Sequence, residues 1–244
     1  MERAGCEERL SWGAMGSLCI RPEVYRCPLG RVSPAGIGGE GAVSRDRMAG
    51  EAGMMRAFIA LDVPGDVKSQ LAVQQFLLPI PRKVDRDHLH ITLAFLGEVR
   101  DEVLEAVHEG LSALHMPAFK ASLSGFGIFG KAKPHSVWAA LTPSEPMDRL
   151  QAKVERATRM AGADIPARRF VPHITLGRFA AMGPEEAVQL ERAVINGAGF
   201  RAGPWEVAEM VLYQSTLTPH GPRYDALARY PLRACAGADH PRPS

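Results

Sequence analysis

The sequence predicts an α+β fold made of two similar lobes with antiparallel or mixed sheets. Strands and helices alternate along most of the chain, but the segments 119–142 and 205–232 each contain two consecutive strands with hairpin-like connections. In addition, the order helix, strand with the tetrapeptide HITL, helix occurs twice, about 83 residues apart. We therefore expect an internal duplication: two similar lobes, each of which contributes one equivalent strand.

The elements of the first lobe follow from hydrophobic periodicity and from turn signals. Apolar residues recur at helical spacing after a Pro-Gly pair, through Val67, Leu71 and Phe76. Strand-forming residues come before that helix and again around the first HITL. The predicted elements are a strand at 55–64, a helix at 66–78, a strand at 89–97 and a helix at 100–115.

The second lobe repeats this pattern with additional strands. Leu150, Val154 and Ala157 lie on one face of a predicted helix, and Gly162 follows that helix as a C-terminal stop signal. The predicted elements are strands at 119–129 and 136–142, a helix at 145–161, a strand at 171–179, a helix at 184–196, and strands near 205–217 and 223–232.

The two ends of the chain differ from the middle in composition. Residues 1–54 are rich in Gly, Pro, Arg and Glu and show no sustained period of a helix or a strand. Such a segment cannot bury enough apolar surface to offset the entropy lost on ordering. We therefore expect a disordered extension at 1–54, a two-lobed domain at 55–234 and a disordered tail at 235–244.

Composition and charge exclude several classes of protein. Hydrophobic residues make up 46% of the chain and charged residues 23%, as in ordinary globular proteins. The net charge of +2 is too small for non-specific nucleic-acid binding by the whole molecule. No apolar run approaches the length of a membrane span, and no signal peptide is evident. We expect a cytoplasmic protein, monomeric and without a membrane anchor.

The cysteines do not indicate a metal site or a disulfide framework. Four are present, without a CxxC pair or a partner cluster of histidines: Cys6, Cys19, Cys27 and Cys235. Zinc sites need four ligands at characteristic spacings, and a disulfide framework needs an oxidising compartment. We expect free thiols, no metal and no cofactor.

The two HITL strands each place a histidine and a threonine on one face. Successive side chains of a strand point to opposite faces of the sheet. One face of the first strand therefore carries Leu89, Ile91, Leu93 and Phe95, and the opposite face carries His90, Thr92 and Ala94. In the second strand Ile174 and Leu176 share one face, while His173, Thr175 and Gly177 share the other. If the lobes face each other, both pairs converge on one cleft.

Two imidazoles and two hydroxyls in one cleft suit only a few reactions. Catalytic zinc needs a third protein ligand, and nucleophilic catalysis needs an activated Ser or Cys that the central region does not offer at a recognisable motif. Paired imidazoles are well suited to concerted acid–base catalysis near neutral pH, with hydroxyls and an arginine holding a phosphoryl group. Arg178 follows His173 by five residues; strict alternation points it away from the cleft unless the strand twists or ends there. A satisfied, purely structural role for each histidine is the alternative.

Four stretches together resemble one enzyme family. These are MRAFIALDVP, LHITLAFLGEV, the GFGIFG segment before VWAAL, and FVPHITLGR. They are similar to the RNA 2',3'-cyclic phosphodiesterases, also called 2'-5' RNA ligases, of the two-histidine phosphoesterase superfamily. The resemblance covers about residues 55–232. It implies a bilobal fold whose two lobes face a central cleft on a pseudo-twofold axis, a metal-free mechanism and hydrolysis of a 2',3'-cyclic phosphate end of RNA to a 2'-phosphate.

The resemblance also implies a role for individual residues. His90 is expected to donate a proton to the departing 3' oxygen, and His173 to accept one from water. Thr92, Thr175 and Arg178 are expected to bind the phosphate. Phe58 is a candidate for stacking on a base, with a core aromatic as the alternative.

The chain departs from the family at one place and leaves two further functions open. Relatives often carry a Trp before the first motif, where this chain has Lys83. The same residues could also act in the opposite direction, joining RNA ends through a 2'-5' bond. A non-catalytic RNA or nucleotide binder is the alternative of a different class, and it is disfavoured because Arg or Lys would serve binding as well as His.

Overall fold

The computed structural model describes residues 53–130, 133–179, 182–219 and 221–232. The predicted extension at 1–54 lies outside these ranges except for its last two residues, and Met54 already begins the first strand. The predicted tail and all four cysteines also lie outside the described residues. In the part of the chain that is described, no helix is long and apolar enough to span a membrane.

Besides two short 3-10 helices at Arg86–His88 and Gly197–Gly199, the described residues form eight strands and four α-helices. In chain order these are β1 (Met54–Asp62), α1 (Gly65–Leu77), β2 (His90–Arg100), α2 (Asp101–Ser112), β3 (Phe119–Phe129), β4 (Ser136–Leu141), α3 (Glu145–Met160), β5 (His173–Arg178), α4 (Pro184–Asn196), β6 (Arg201–Val207), β7 (Glu209–Thr218) and β8 (Gly221–Pro231). The boundaries predicted for the four helices agree with these within three residues. The α+β fold class is confirmed.

The strands form a single antiparallel sheet that has two equivalent halves. The strand order is β6-β3-β4-β5-β2-β1-β7-β8, and all strand pairs are antiparallel, so the predicted alternative of a mixed sheet does not apply. The two HITL strands, β2 and β5, are neighbours in the middle, and Ile91 pairs with Ile174. Counting outward from this pair, β1 matches β4, β7 matches β3, and β8 matches β6. The two predicted lobes are therefore the halves of one continuous sheet.

One predicted strand is divided between the two halves. The segment 205–217 was expected to be a single strand, but it contains the end of β6 and most of β7, which separate at Ala208. β6 pairs with β3 at one end of the sheet, whereas β7 pairs with β1 in the other half. Both parts have strand composition, and only the pairing partners, which are distant in sequence, distinguish them.

All four helices pack on the same face of the sheet. Ile91 and Ile174 belong to the apolar cluster beneath the helices, to which each helix contributes buried residues: Val67 and Leu71 from α1, Val107 and Leu111 from α2, Leu150 and Val154 from α3, and Leu190 from α4. Successive side chains of a strand face opposite sides, so the residues directly before and after each isoleucine point to the other face of the sheet. The motif histidines and threonines lie on that second face, called the site face below.

The apolar stripe of α1 differs from the prediction at one position. Phe76 is 79% exposed, while its neighbour Gln75 is buried. Gln75 continues the four-residue spacing from Val67 and Leu71 and donates hydrogen bonds from Nε2 to the carbonyl oxygens of Val84 and Leu176. The buried amide of Gln75 thus links the segment before the first motif to β5. The prediction that Phe76 belongs to the buried stripe of α1 is wrong, because it was based on the hydrophobicity of this residue alone.

Candidate active site

The four motif side chains surround the central isoleucine pair. In an antiparallel pair, continuing the register from Ile91 and Ile174 places His90 opposite Thr175 and Thr92 opposite His173. Residues directly opposite each other point to the same face, so two imidazoles and two hydroxyls lie together on the site face. The convergence predicted from the duplicated motif is present in the structure.

Both imidazoles are held in the same tautomer. Nδ1 of His90 lies 2.7 Å from the carbonyl oxygen of His88, and Nδ1 of His173 lies 2.7 Å from the carbonyl oxygen of Val171. A carbonyl oxygen only accepts hydrogen bonds, so each Nδ1 carries the proton and donates it. In the neutral ring Nε2 is therefore unprotonated, and each ring can accept a proton at that atom or, once charged, return it.

A β-bulge in β5 turns Arg178 onto the site face. Thr175 pairs with Trp138, but the next pair is Gly177 with Val137, so Leu176 is an extra residue. Gly177 therefore shares the core side with buried Val137, and Arg178 shares the site face with Thr175. Strict alternation would point Arg178 away from the site, and the bulge is the strand irregularity that brings it there.

The equivalent bulge in β2 brings an aromatic ring to the same position. Register shifts at the first motif leave Leu93 and Leu96 as the extra residues of β2, and Phe95 pairs with Phe58. The rings of Phe95 and Phe58 are stacked with centroids 5.7 Å apart, so Phe95 faces the site side and not the core side predicted by alternation. Phe95 thus occupies in the first half the position that Arg178 occupies in the second.

The bulge in β5 is braced by the segment before the first motif. Lys83 forms an isolated antiparallel bridge with Gly177, and the N–H of Arg178 donates to the carbonyl oxygen of Arg82. A Cβ on Gly177 would lie 2.1 Å from Cγ2 of Ile80, so the close approach of this segment requires glycine. The side chain of Lys83, which departs from the family pattern, has its Nζ 5.5 Å from the ring centroid of Phe76.

Aromatic side chains form the surroundings of His90. The Phe58 ring lies 5.0 Å from the imidazole centroid, and Tyr224 packs edge-on against it at 5.5 Å. Phe58 also contacts Phe95 and Tyr213, and it is only 1% exposed. Its ring therefore presents no free face to a base in this structure, which favours the packing alternative over the base-stacking role.

The surroundings of His173 are also aromatic but use different residues. Phe129 lies edge-on to the imidazole at 4.9 Å, and Trp138 at 5.7 Å. The two rings stack on each other at 5.0 Å. Neither was singled out from the sequence, although GFGIFG and VWAAL contributed to the family resemblance. Both residues are far from the second HITL in the sequence, so their contact with His173 could not be predicted from the motif. The contact arises because β3 pairs with β4 and β4 pairs with β5.

Burial and nearby charge lower the pKa of both histidines. Desolvation is the largest cause in each case, and the Arg178 guanidinium adds to it by disfavouring a second positive charge. The pKa of His90 falls to about 4, although the hydrogen bond to His88 and the carboxylate of Asp62 act in the opposite direction. The pKa of His173 is lowered too, against its hydrogen bond to Val171. Both rings are therefore neutral in the free protein at neutral pH.

The described residues contain no cluster of three or more metal-ligating side chains. The arrangement instead offers two nitrogen bases at Nε2, two hydroxyl groups and the exposed guanidinium of Arg178 on one face. Such a set can bind an anionic group and move protons on two sides of it.

A family model matches residues 65–218, which include both motifs; its description is "2'-5' RNA ligase superfamily". The chain belongs to this superfamily. The resemblance noted in the sequence is confirmed, and the superfamily's match begins and ends within the sheet and helices described above.

Relatives within the superfamily cover most of the described fold. A protein of Archaeoglobus fulgidus named RNA 2',3'-cyclic phosphodiesterase is 33% identical over 179 residues, 71% of this chain and 98% of the relative. A protein of the same name from Thermus thermophilus is 33% identical over 200 residues, 76% of this chain and 94% of the relative. The match in each case includes nearly the whole relative.

Solved structures of related proteins have the same fold. The crystal structure of Escherichia coli LigT in apo form aligns with a TM-score of 0.62 and 28% identity, covering 74% of this chain and 98% of LigT. TT0787 of Thermus thermophilus aligns with a TM-score of 0.61 and 29% identity, covering 74% of this chain and 99% of that protein.

Proposed function

We propose that this protein is an RNA 2',3'-cyclic phosphodiesterase that hydrolyses a terminal cyclic phosphate to a 2'-phosphomonoester by general acid–base catalysis. The observation that carries the proposal is the pair of imidazoles, each fixed through Nδ1 and each presenting Nε2 on one site face. In-line displacement at phosphorus needs one group that deprotonates the attacking water and another that protonates the departing oxygen. Two such nitrogens on opposite sides of a bound phosphate meet both needs.

Each proton and bond is accounted for in this reaction. Nε2 of neutral His173 accepts a proton from water while the water oxygen bonds to phosphorus. The bond between phosphorus and the 3' oxygen breaks, and Nε2 of charged His90 donates its proton to that oxygen. The products are a 3'-hydroxyl and a 2'-phosphate, and the two rings have exchanged protonation states. Solvent restores the starting state.

The phosphate-binding roles are part of the same proposal. Thr92 and Thr175 each donate a hydroxyl hydrogen bond to a non-bridging phosphate oxygen, and Arg178 binds the developing negative charge. The bulge that turns Arg178 onto the site face supports its role. The same negative charge raises the pKa of a neighbouring imidazole, so the substrate helps to protonate His90, whose pKa in the free protein is low.

The related proteins support this choice of substrate. Those of Archaeoglobus fulgidus, Thermus thermophilus and Escherichia coli carry the name RNA 2',3'-cyclic phosphodiesterase. Escherichia coli LigT has also been crystallised with 3'-AMP and with phosphate. The cytoplasmic location and the monomeric state expected from the sequence belong to this proposal.

Ligation is the second candidate because the superfamily's description refers to it. Formation of a 2'-5' bond from a 2',3'-cyclic end would use the same groups with a 5'-hydroxyl in place of water: His173 would deprotonate that hydroxyl as its oxygen bonds to phosphorus, and His90 would protonate the departing 3' oxygen. A reaction at high concentrations of two RNA ends would detect it. For a single cyclic end in water, hydrolysis is favoured by the concentration of water.

The test is an assay of purified protein on a nucleoside 2',3'-cyclic phosphate in excess EDTA, followed by phosphorus NMR. We expect complete conversion of the cyclic phosphate to the 2'-phosphate, with no loss of rate relative to a reaction without EDTA. A 3'-phosphate product would contradict the direction of protonation. Rates that vanish with EDTA and return with zinc or manganese would contradict the metal-free mechanism. Tight binding without turnover would identify a nucleotide-binding protein instead.

A further inference from the structure

The two motif histidines have different cross-strand neighbours. In the first half, His90 pairs with Asp62 at the end of β1. In the second half, His173 pairs with Ala140 at the equivalent position of β4. Directly opposite residues in an antiparallel pair point to the same face, with Cβ atoms roughly 4.5–5.5 Å apart. A carboxylate therefore lies beside one imidazole on the site face, and a methyl group lies beside the other.

The Asp62 carboxylate is fixed by two partners. Tyr213 donates its hydroxyl proton to Oδ1 at 2.6 Å, and Arg229 donates to Oδ2 at 3.2 Å. Burial and the neighbouring carboxylate raise the pKa of Tyr213, so the phenol remains a donor. Arg229 also binds Glu209, so this group of side chains holds two carboxylates and one guanidinium and carries a net negative charge.

We propose that Asp62 is a positioning residue that selects His90 as the proton donor, because its fixed carboxylate favours the charged form of that imidazole. The inference rests on the proposed function and deepens it, since the two HITL motifs alone do not distinguish acid from base. Asp62 forms no hydrogen bond to His90 among the described residues and acts through space. Among the described residues, His173 pairs with Ala140 and not with a carboxylate, so nothing of this kind favours its charged form and it keeps the neutral form that accepts a proton.

The other charged and titratable groups near His90 do not explain this selection. Arg178 and His173, both on β5, disfavour a positive charge on His90, while Asp62 favours it. Tyr224 from β8 packs against the ring through its edge. The groups around His90 are Asp62 on β1, Tyr213 on β7, Tyr224 and Arg229 on β8, His173 and Arg178 on β5, and His88 before β2. Among these described groups, Asp62 is the one that carries a negative charge and so favours a positive charge on His90.

The experiment compares Asp62→Asn with the intact protein by two readouts. The first is NMR titration of the imidazole resonances, in which Asn should lower the pKa of His90 and leave that of His173 unchanged. The second is the rate with two substrates: a nucleoside 2',3'-cyclic phosphate, whose leaving oxygen needs a proton, and a p-nitrophenyl ester of a 3'-deoxynucleoside 2'-phosphate, whose leaving group does not and which offers no neighbouring hydroxyl as nucleophile. We expect the first rate to fall about two- to fivefold, as for loss of a partly exposed charge pair, and the second to stay constant.

Three further variants control for effects that do not depend on the pairing of Asp62 with His90. Ala140→Asp should create the missing neighbour, raise the pKa of His173 and lower the rates with both substrates. Asp225→Asn removes a carboxylate that also pairs with an arginine, Arg223, and should leave both imidazole titrations unchanged. If Asp62→Asn does not fold, Tyr213→Phe, which releases the carboxylate, should shift the His90 titration in the same direction.

The outcomes separate this inference from the proposed function. An unchanged His90 titration in Asp62→Asn, or equal losses with both substrates, would overturn the inference while hydrolysis by the intact protein still stands. Selective loss with the nitrophenyl ester would show that His90 is the base. An intact protein that cleaves neither substrate would contradict the proposed function, and the titrations would still decide whether Asp62 acts on His90.

Discussion

The two halves of the sheet share a backbone frame but surround their histidines differently. Each half contains an HITL strand, a bulge after the threonine, and an imidazole whose Nδ1 donates to the carbonyl two residues earlier. At the position after the bulge the first half has Phe95, whereas the second has Arg178. Beside the histidine the first half has Asp62 and the second has Ala140. The duplicated backbone thus supplies two equivalent histidines, and the different residues around them suit the two histidines to different roles.

The cationic side chains show the same division. In the second half Arg178 is exposed on the site face, where a phosphate can reach it. In the first half the guanidinium carbon of Arg56 lies 5.4 Å from the centroid of the Phe95 ring and is partly covered. Exposure decides which guanidinium can bind an anion directly. We therefore expect phosphate binding to depend mainly on the second half.

The largest effects should come from the two histidines. His90→Ala and His173→Ala should each lower kcat/KM for a 2',3'-cyclic phosphate by about 10²–10⁴, the contribution of a positioned acid or base. The double variant should lose less than the product of the single losses, because the two groups act as a unit. Single variants with nearly normal rates would contradict the catalytic role. Circular dichroism should confirm that each variant is folded.

The next largest effect should distinguish the two bulge positions. Arg178→Gln should lower kcat/KM by about 10- to 100-fold, as expected for loss of a hydrogen bond between charged groups. Phe95→Leu at the equivalent position should change the rate far less, because Phe95 packs against Phe58 and is not expected to touch phosphate. Steady-state rates of both variants test this difference. A greater loss for Phe95→Leu in a stably folded protein would reverse the comparison.

Smaller effects are expected for the threonines. Thr92→Val and Thr175→Val each remove one hydroxyl while keeping the side chain's shape, so each should lower kcat about two- to tenfold, the range for one hydrogen bond. The proton transfers remain, so the pH profile should keep its shape. A change in the profile would indicate that a hydroxyl takes part in proton transfer. Equal losses in both halves would show that the frame binds phosphate symmetrically.

The smallest effect concerns stability in acid. The pKa of His90 is lowered to about 4 and that of His173 is lowered as well, so the unfolded chain binds more protons than the folded protein below pH 6.5. The free energy of unfolding should therefore fall as the pH decreases from about 6.5 towards 4. Urea titrations should show a shallower decline for His90→Gln than for the intact protein. His115→Gln, the same change at an exposed histidine outside the site, is the matched control variant for these titrations.

The sequence by itself determined the elements, the duplication and the pair of histidines. Hydrophobic periods are local properties, and four helices and most strands follow from them; the period of two also places His and Thr on the face opposite Ile91 and Ile174. Conversely, alternation left the orientation of Arg178 open and placed Phe95 on the wrong face. A bulge is a mismatch between two strands, so it is not visible in the sequence of either strand alone.

Only the tertiary structure decided what surrounds each histidine. Trp138 approaches His173, and Asp62 approaches His90, because their strands pair in the sheet. In each case the two residues are at least 28 positions apart in the sequence. The division of 205–217 at Ala208 has the same origin, because each part pairs with a different half of the sheet. Strand propensity fixes that a segment is extended, but its neighbours depend on register and burial across the whole fold. The motif therefore determined the kind of chemistry, and the packing of distant strands decided how the two identical motifs differ.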